Sequence, residues 1–509
     1  MEFISKIEFI SKMEDVLGEE YNVSRTENGA LGYRTTQKEI VDFNFKVSSY
    51  RNADEETIIK DFTKVFYEDK ILAMQFLFYI RDIKEGLGER RLFRILIKWL
   101  ADFEPDTLRN LLPLIADYGR WDDLFELFDT KLEKDVMDLL HKQLLKDMVG
   151  MFREEHISLL GKWLPSINAS SKEIRRKALK ICDAWGMSVA NYRKSLSAIR
   201  EYLDVVETKM CANEWGEIDY SKVPSKANLK YNKAFFKHDE ERRQKFLDKV
   251  SKGEEKINAG TLYPHEIVHK YIDCWGFCSN RLKDYDETVE QLWKALPKKD
   301  LDNVLVVIDG SGSMYSRISK NTQISIIDIA VALGIYFGEH NTGEFKNNFI
   351  TFSTNPQLVK LDGTLRDKIA QTLAHNEVST TNILKVFDLI LNTALKYKMK
   401  QEDLPSRILI VSDMEFDDGI ECEFNEKLFN YIAGKYEIMG YKLPKLVFWN
   451  VASRTNTIPV KQNELGVALV SGFSTNIVDM IMSDKLDPYE ILVDKLNTNR
   501  YKKIKEILS

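Results

Sequence analysis

Residues 303–314 read NVLVVIDGSGSM, and this stretch decides the fold of the second half of the chain. Val304 to Ile308 is an unbroken apolar run, the kind that forms a strand buried on both faces of a parallel sheet. It leads straight into Asp309-Gly310-Ser311-Gly312-Ser313. That spacing places one carboxylate and two hydroxyls at the carboxyl end of the strand. The glycines let the backbone turn tightly enough for the three oxygens to face one point. A hard cation such as Mg²⁺ takes about six oxygens in near-octahedral array and keeps several waters. Two more protein oxygens are then expected from neighbouring strand ends. Asp413, closing RILIVSD, is one; Thr381 in STTNIL, or its neighbour Thr380, is the other. A Gly/Ser turn holding no metal would have the same local sequence, so the weight rests on these ordered partners.

Downstream, strands and helices alternate. A mostly apolar helix is expected at Ile324–Phe337, a strand at Asn348–Phe352, and helices at Leu365–Leu373 and Asn382–Leu395. A buried strand follows at Arg407–Ser412, then a helix at Asn425–Ile438 and strands at Lys445–Asn450 and Val467–Ser471. Helices at Thr475–Met482 and Pro488–Ile507 close the chain. This order predicts an α/β doubly wound, Rossmann-like sheet, whose ligands bind beyond the carboxyl ends of its strands. The set resembles the von Willebrand factor A family, whose metal-ion-dependent adhesion site (MIDAS) is Asp-x-Ser-x-Ser, a Thr and an Asp in that order. The matching positions are Asp309, Ser311, Ser313, Thr381 and Asp413. The resemblance implies a divalent cation, Mg²⁺, with one coordination position left for an acidic group of a protein partner. Asp417 and Asp418, just beyond, read as local negative charge or helix caps.

Upstream the period changes. From about Asp54 to Leu296 apolar residues recur three and four apart, as in Glu56–Ile80, Leu92–Phe103, Pro105–Tyr118 and Trp121–Phe128. Lys134–Phe152, Glu154–Trp163, Ser170–Trp185, Ser188–Val206 and Lys237–Lys252 continue the pattern, with Val223–Pro264 read as an interruption. Short paired helices with brief connections predict an α-solenoid of HEAT-like repeats, though an irregular helical bundle would read similarly. The expected domains are a partly irregular N-terminal segment over 1–53, the helical domain over 54–300 and the A domain over 301–509.

The stretches TENGALGY from Thr26, RDIKEGLGERRLF from Arg81, GRWDDL from Gly119 and VPSKA from Val223 carry a second resemblance. The order of a helical array and a C-terminal A domain makes the chain similar to the Ro autoantigen and TROVE-domain ribonucleoproteins, while the stretches themselves belong to a related branch. An uncharacterised bacterial, plant and viral branch is the closer match. The resemblance implies a ring of helical repeats closed by the A domain, binding small non-coding or single-stranded RNA.

Composition bounds these readings. A hydrophobic share of 44% and a charged share of 30% suit a soluble globular protein, and no apolar run is long enough to span a bilayer. The opening residues repeat EFISK at Glu2–Lys6 and Glu8–Lys12 and do not read as a secretory signal. The five cysteines, Cys182, Cys211, Cys274, Cys278 and Cys422, read as reduced thiols of a cytoplasmic protein. Cys274 and Cys278, one helical turn apart and near His265 and His269, could form a zinc site, but buried free thiols fit them better.

Charge divides the chain. Residues 172–249 hold 18 basic and 12 acidic side chains, a balance of +6; residues 302–485 hold 18 and 22, a balance of -4. The polyanion surface is therefore expected on the helices. Its candidates are Arg90, Arg91 and Arg94; Arg175, Arg176 and Lys177; Arg193 and Lys194; and Arg242 and Arg243. Lys222, Lys226, Lys230, Lys233 and Lys237 recur about every four residues, with Tyr231, Phe235 and Phe236 between them. Such a stripe can neutralise phosphates and stack unpaired bases, although solvated Lys faces are also ordinary.

The reading is a monomeric, non-enzymatic RNA-binding scaffold with a cation site for an acidic protein partner. The alternative is a metal-dependent protein–protein adaptor without RNA. A hydrolase reading fares worse, because a single-metal site with scattered His238, His265 and His269 lacks an activated base.

Overall fold

A computed structural model describes residues 22–274, 281–299, 301–375, 382–416, 426–459, 467–483, 485 and 487–509. The EFISK pair, Cys278, Thr380, Thr381, Asp417, Asp418 and Cys422 lie outside the described residues, as does the side chain of Cys274. Two compact units emerge. One joins residues 1–54 to 262–495, and the other joins 55–261 to 496–509.

The first unit opens with an antiparallel pair, β1 (Val23–Arg25) and β2 (Leu31–Tyr33). A second antiparallel pair is β3 (Ile272–Cys274) and β4 (Arg281–Leu282). Its main sheet holds β5 (Val304–Asp309), β6 (Asn348–Phe352), β7 (Leu358–Lys360), β8 (Arg407–Ser412), β9 (Lys445–Asn450) and β10 (Val467–Ser471). Their spatial order is β10-β9-β8-β5-β6-β7, parallel throughout except for the β6–β7 edge. β5 and β8 are buried along their whole length, as their apolar composition demands. After β5 the chain winds to one side of the sheet, and from β8 to the other. The switch point of this topology thus falls between the ends of β5 and β8, where such sheets bind ligands.

Helix Ile326–His340 lies against β5 and is buried along most of its length. Gly334 allows the approach, since a Cβ there would stand 2.3 Å from Cδ1 of Ile308. On the sheet's other side, Phe387, Ile390 and Tyr436 pack with Leu305, Val307, Ile408 and Phe448.

The boundaries read from sequence do not coincide with these units. The segment read as partly irregular joins the sheet unit: Tyr33 and Ile458 exchange backbone hydrogen bonds at 2.8 and 2.9 Å. Ala30 and Phe45 enter the same apolar core as Leu305 and Val307. Residues 262–299, expected with the helices, also belong here, with Trp293 Nε1 donating to Glu339 at 2.8 Å. Cys274, expected on a helical turn, lies instead in β3.

The second unit is helical. Glu55–Glu68, Lys70–Arg81 and Arg90–Phe103 pack on one another, followed by Pro105–Leu111, Glu133–Phe152, Lys172–Ala184 and Val189–Tyr202. The helix expected at Lys237–Lys252 begins earlier, inside the stretch read as an interruption: Ser225–Ser251 is one long helix with a kink at Asp239, where φ is −152° and ψ 48°. A strongly charged composition masked its first half, whose inward residues include Ala227, Asn228 and Phe235; Arg243, Phe246 and Leu247 face inward in the second. The final helix, Asn499–Leu508, packs on Lys70–Arg81 and not on the sheet unit to which sequence assigned it. Tyr501 drives this docking; it is fully buried and donates to Asp82 at 3.0 Å.

Candidate metal centre and basic surfaces

β5 and β8 run in register, with Ile308 opposite Val411, so their polar ends emerge side by side. Asp309 is 2% exposed and Asp413 1% exposed. Asp309 Oδ1 accepts the Ser311 N–H at 2.9 Å, and Oδ2 accepts the Ser412 hydroxyl at 2.5 Å. The hydroxyls of Ser311 and Ser313 lie 3.1 Å apart. Asp413 Oδ1 accepts the Glu415 N–H at 3.3 Å. Asp309, Ser311, Ser313 and Asp413 thus stand together at one point.

Burial, reinforced by the negative charge of Asp309, pushes the Asp413 carboxyl up to about 7. The Ser313 hydroxyl and the Arg454 guanidinium oppose the rise. Asp413 Oδ2 is buried without a hydrogen bond, with Arg454 Nη2 3.5 Å away. Two carboxylates forced together beside hydroxyl oxygens, one carboxylate oxygen left unbonded, form a donor set suited to a hard divalent cation. Among the described residues no group of three or more His, Cys, Asp or Glu is arranged to hold a metal.

Three further residues shape this centre. Ser412 was visible in sequence only as the neighbour of Asp413. Glu415 is buried and accepts the N–H groups of Arg454 and Thr455 at 2.7 and 2.9 Å on Oε1, and that of Glu27 at 2.7 Å on Oε2. Around it, Thr26 donates to the Phe416 carbonyl at 2.6 Å and Asn28 to the Glu415 carbonyl at 2.7 Å. The TENGALGY stretch therefore grips the loop that follows Asp413. Arg454 had no signal in the sequence.

The imidazoles near Cys274 are engaged elsewhere. His265 stacks on Tyr263, and His269 Nδ1 lies 2.7 Å from Asp328. Among the described thiols, Cys182 is buried and free and Cys211 exposed and free. No helix among the described residues is long and apolar enough to cross a membrane.

The basic clusters differ in how far they engage carboxylates and how far they stand exposed. Arg90 meets Asp122 at 2.6 Å, and Arg94 meets Asp123 at 2.6 Å and Glu126 at 3.0 Å; Arg91 is exposed beside them. Arg81 joins Asp123 at 2.8 Å, fully inside the fold. Arg176 bonds Asp129 and Glu173 at 3.1 and 2.9 Å, and Lys177 lies 3.7 Å from Glu126. Arg175 donates to the carbonyls of Ala169 and Ser170. Arg243 is wholly buried among Tyr220, Phe235 and Phe246, and Arg242 pairs with Asp239 at 2.9 Å.

Arg193 and Lys194 are exposed on Val189–Tyr202. Lys226, Lys230, Lys233 and Lys237 are exposed along one face of Ser225–Ser251, ahead of its kink. Lys230 lies over the Tyr231 ring at 4.8 Å, while Lys233 and Lys237 make no ion pair among the described residues. Of the interleaved aromatics, Phe235 points into the core, and Tyr231 and Phe236 are half-buried. The stripe is thus a cationic face with an aromatic edge.

Comparison with known proteins gives two family matches. The description "Domain of unknown function (DUF2828)" matches residues 26–146 and 170–303, half of the chain. A second, "Domain of unknown function (DUF7788)", matches residues 303–506. The chain is 28% identical over 521 residues to "Uncharacterized protein L728" of Acanthamoeba polyphaga mimivirus, covering 93% of this chain and 87% of that protein. Among solved structures, the crystal structure of the Deinococcus radiodurans RO (RSR) protein covers 91% of this chain and 99% of its own. It is 11% identical, with a TM-score of 0.38.

Proposed function

We propose, from the premise that this chain belongs to the DUF2828 family, that it is a non-enzymatic RNA-binding scaffold with a separate cation-dependent site for a protein partner. The observation that carries the first half is the exposed row Lys226, Lys230, Lys233 and Lys237. Four cations along one helix face track a phosphate backbone, and the neighbouring Tyr231 edge offers a surface for an unpaired base. The resemblance in domain order to Ro and TROVE-domain proteins points the same way, toward small structured or single-stranded RNA on HEAT-like repeats.

The second half rests on the converging oxygens of Asp309, Ser311, Ser313 and Asp413. Mg²⁺ held there would supply an electrophilic position for a partner's carboxylate. The chain's own residues fix the geometry: Ser412 orients Asp309, and Glu415 holds the loop after Asp413. Thr381 is the further ligand that the von Willebrand A resemblance implies.

The test is crosslinking in the native cells followed by sequencing of the RNA that co-purifies, with Lys226/Lys230/Lys233→Glu as control. Small RNAs enriched with the wild type and lost in the control would support the reading; no enrichment would remove its RNA half. A protein adaptor is the second reading. It is favoured by the apolar row Leu145, Val149 and Phe152, which are 49%, 49% and 80% exposed on one helix. A partner captured by the wild type, released by chelator and indifferent to ribonuclease would favour it.

A further inference from the structure

We infer that Arg454 is a built-in counter-cation of the candidate metal centre, balanced between Asp413 and Glu27, and that this balance sets the affinity for a divalent cation. The inference rests on reading Asp309 and Asp413 as ligands of that cation.

Arg454 Nη2 stands 2.5 Å from Glu27 Oε2 and 3.5 Å from Asp413 Oδ2, the buried oxygen that accepts no hydrogen bond. This three-membered arrangement is not an accident of two long surface side chains. The backbones of both Arg454 and Glu27 hang on one buried carboxylate, Glu415, at 2.7 Å each. Glu415 itself lies two residues beyond Asp413, so a single anchor sets the spacing of all three groups. The Arg454 side chain is 41% exposed, which leaves its head room to move.

The electrostatics follow directly. Without a metal, two buried carboxylates repel each other, and the guanidinium offsets part of that repulsion. A divalent cation brings two positive charges to the same oxygens and is repelled by the guanidinium. Glu27 then gives Arg454 an alternative partner. Removing Arg454 destabilises the metal-free state and relieves repulsion in the loaded one, and both effects favour binding. Removing Glu27 leaves the guanidinium to Asp413 alone and opposes binding.

The experiment is calorimetric titration of the full-length protein with Mg²⁺ and Mn²⁺, using wild type, R454Q, E27Q and the double variant. R454Q keeps the main-chain bonds to Glu415, and far-UV circular dichroism checks that each variant folds. R454Q is expected to bind roughly three- to tenfold more tightly. E27Q is expected to bind roughly two- to threefold more weakly, and that loss should vanish in the R454Q background. Unchanged or weaker binding by R454Q overturns the inference, as does an E27Q loss that persists without Arg454. No cation uptake by the wild type would overturn the metal-centre reading itself, and this inference with it.

Discussion

The carboxylate of Glu415 accepts the main-chain N–H of Glu27 at 2.7 Å, a bond between residues 388 positions apart. It ties the segment around β1 to the loop that leaves the end of β8, and so makes that segment part of the candidate cation site's support. Glu415→Ala would leave the Glu27, Arg454 and Thr455 amides without their acceptor. The expected cost is about 2–4 kcal/mol, read as a lower midpoint in chemical denaturation together with faster proteolysis of the N-terminal segment.

Cation binding should be visible as stability. At a hundredfold excess over Kd, a ligand bound only by the native state adds about 2.7 kcal/mol. Mg²⁺ or Mn²⁺ should therefore raise the Tm of the wild type. Asp309→Asn and Asp413→Asn should lose that increment, and equal shifts in all three proteins would remove the metal centre.

Gly334 and Ile308 fix the distance between the helix and the strand that ends in Asp309. Gly334→Ala gains about 1 kcal/mol of helix propensity. Against that, a Cβ standing 2.3 Å from Ile308 Cδ1 overpacks a buried contact, which typically costs about 1–3 kcal/mol. A net loss of stability is expected, and Ile308→Val, which removes Cδ1, should restore part of it in a double-variant denaturation cycle.

In the helical unit, Asp123 is fully buried between Arg81 at 2.8 Å and Arg94 at 2.6 Å. This pairing also explains Gly119 of GRWDDL, where a Cβ would stand 2.5 Å from Asp123 Oδ2 and 2.9 Å from Arg81 Nε. Asp123→Ala takes the carboxylate from the buried Arg81, while Arg94 keeps Glu126 at 3.0 Å, and a destabilisation of roughly 3–5 kcal/mol is expected. Thermal unfolding followed by circular dichroism measures it.

Salt dependence separates the two classes of basic residue. Each lysine that neutralises a phosphate of single-stranded RNA contributes about 0.7 to the slope of log K against log salt. Lys226/Lys230/Lys233→Ala should then flatten that slope by about 2. Arg176→Gln, whose charge is already met by Asp129 and Glu173, should leave it nearly unchanged. Fluorescence anisotropy of a labelled oligonucleotide across a salt series decides the matter.

The strands of the main sheet were legible because burial on both faces writes a continuous apolar run, as in Val304–Ile308 and Arg407–Ser412. The oxygens at their ends were legible because a strand end followed by Asp-x-Ser-x-Ser is a local pattern. Asp413 could be placed only as the polar end of a second such run. Of helix Ser225–Ser251 only the part from Lys237 was legible, its first half being obscured by a charged surface, and β7 was missed for its length of three residues.

By itself, then, the sequence determined what depends on neighbours along the chain: the period of each element, the ligand-like spacing and the uneven charge. Only the tertiary structure decided the long-range pairings. It set Arg454 beside Asp413, joined residues 22–54 to the sheet unit and placed Asn499–Leu508 with the helices. It also showed which arginines are already neutralised by carboxylates and which lysines face outward. Those outcomes depend on backbone hydrogen bonds and buried contacts between residues hundreds of positions apart, and no local pattern encodes such partners.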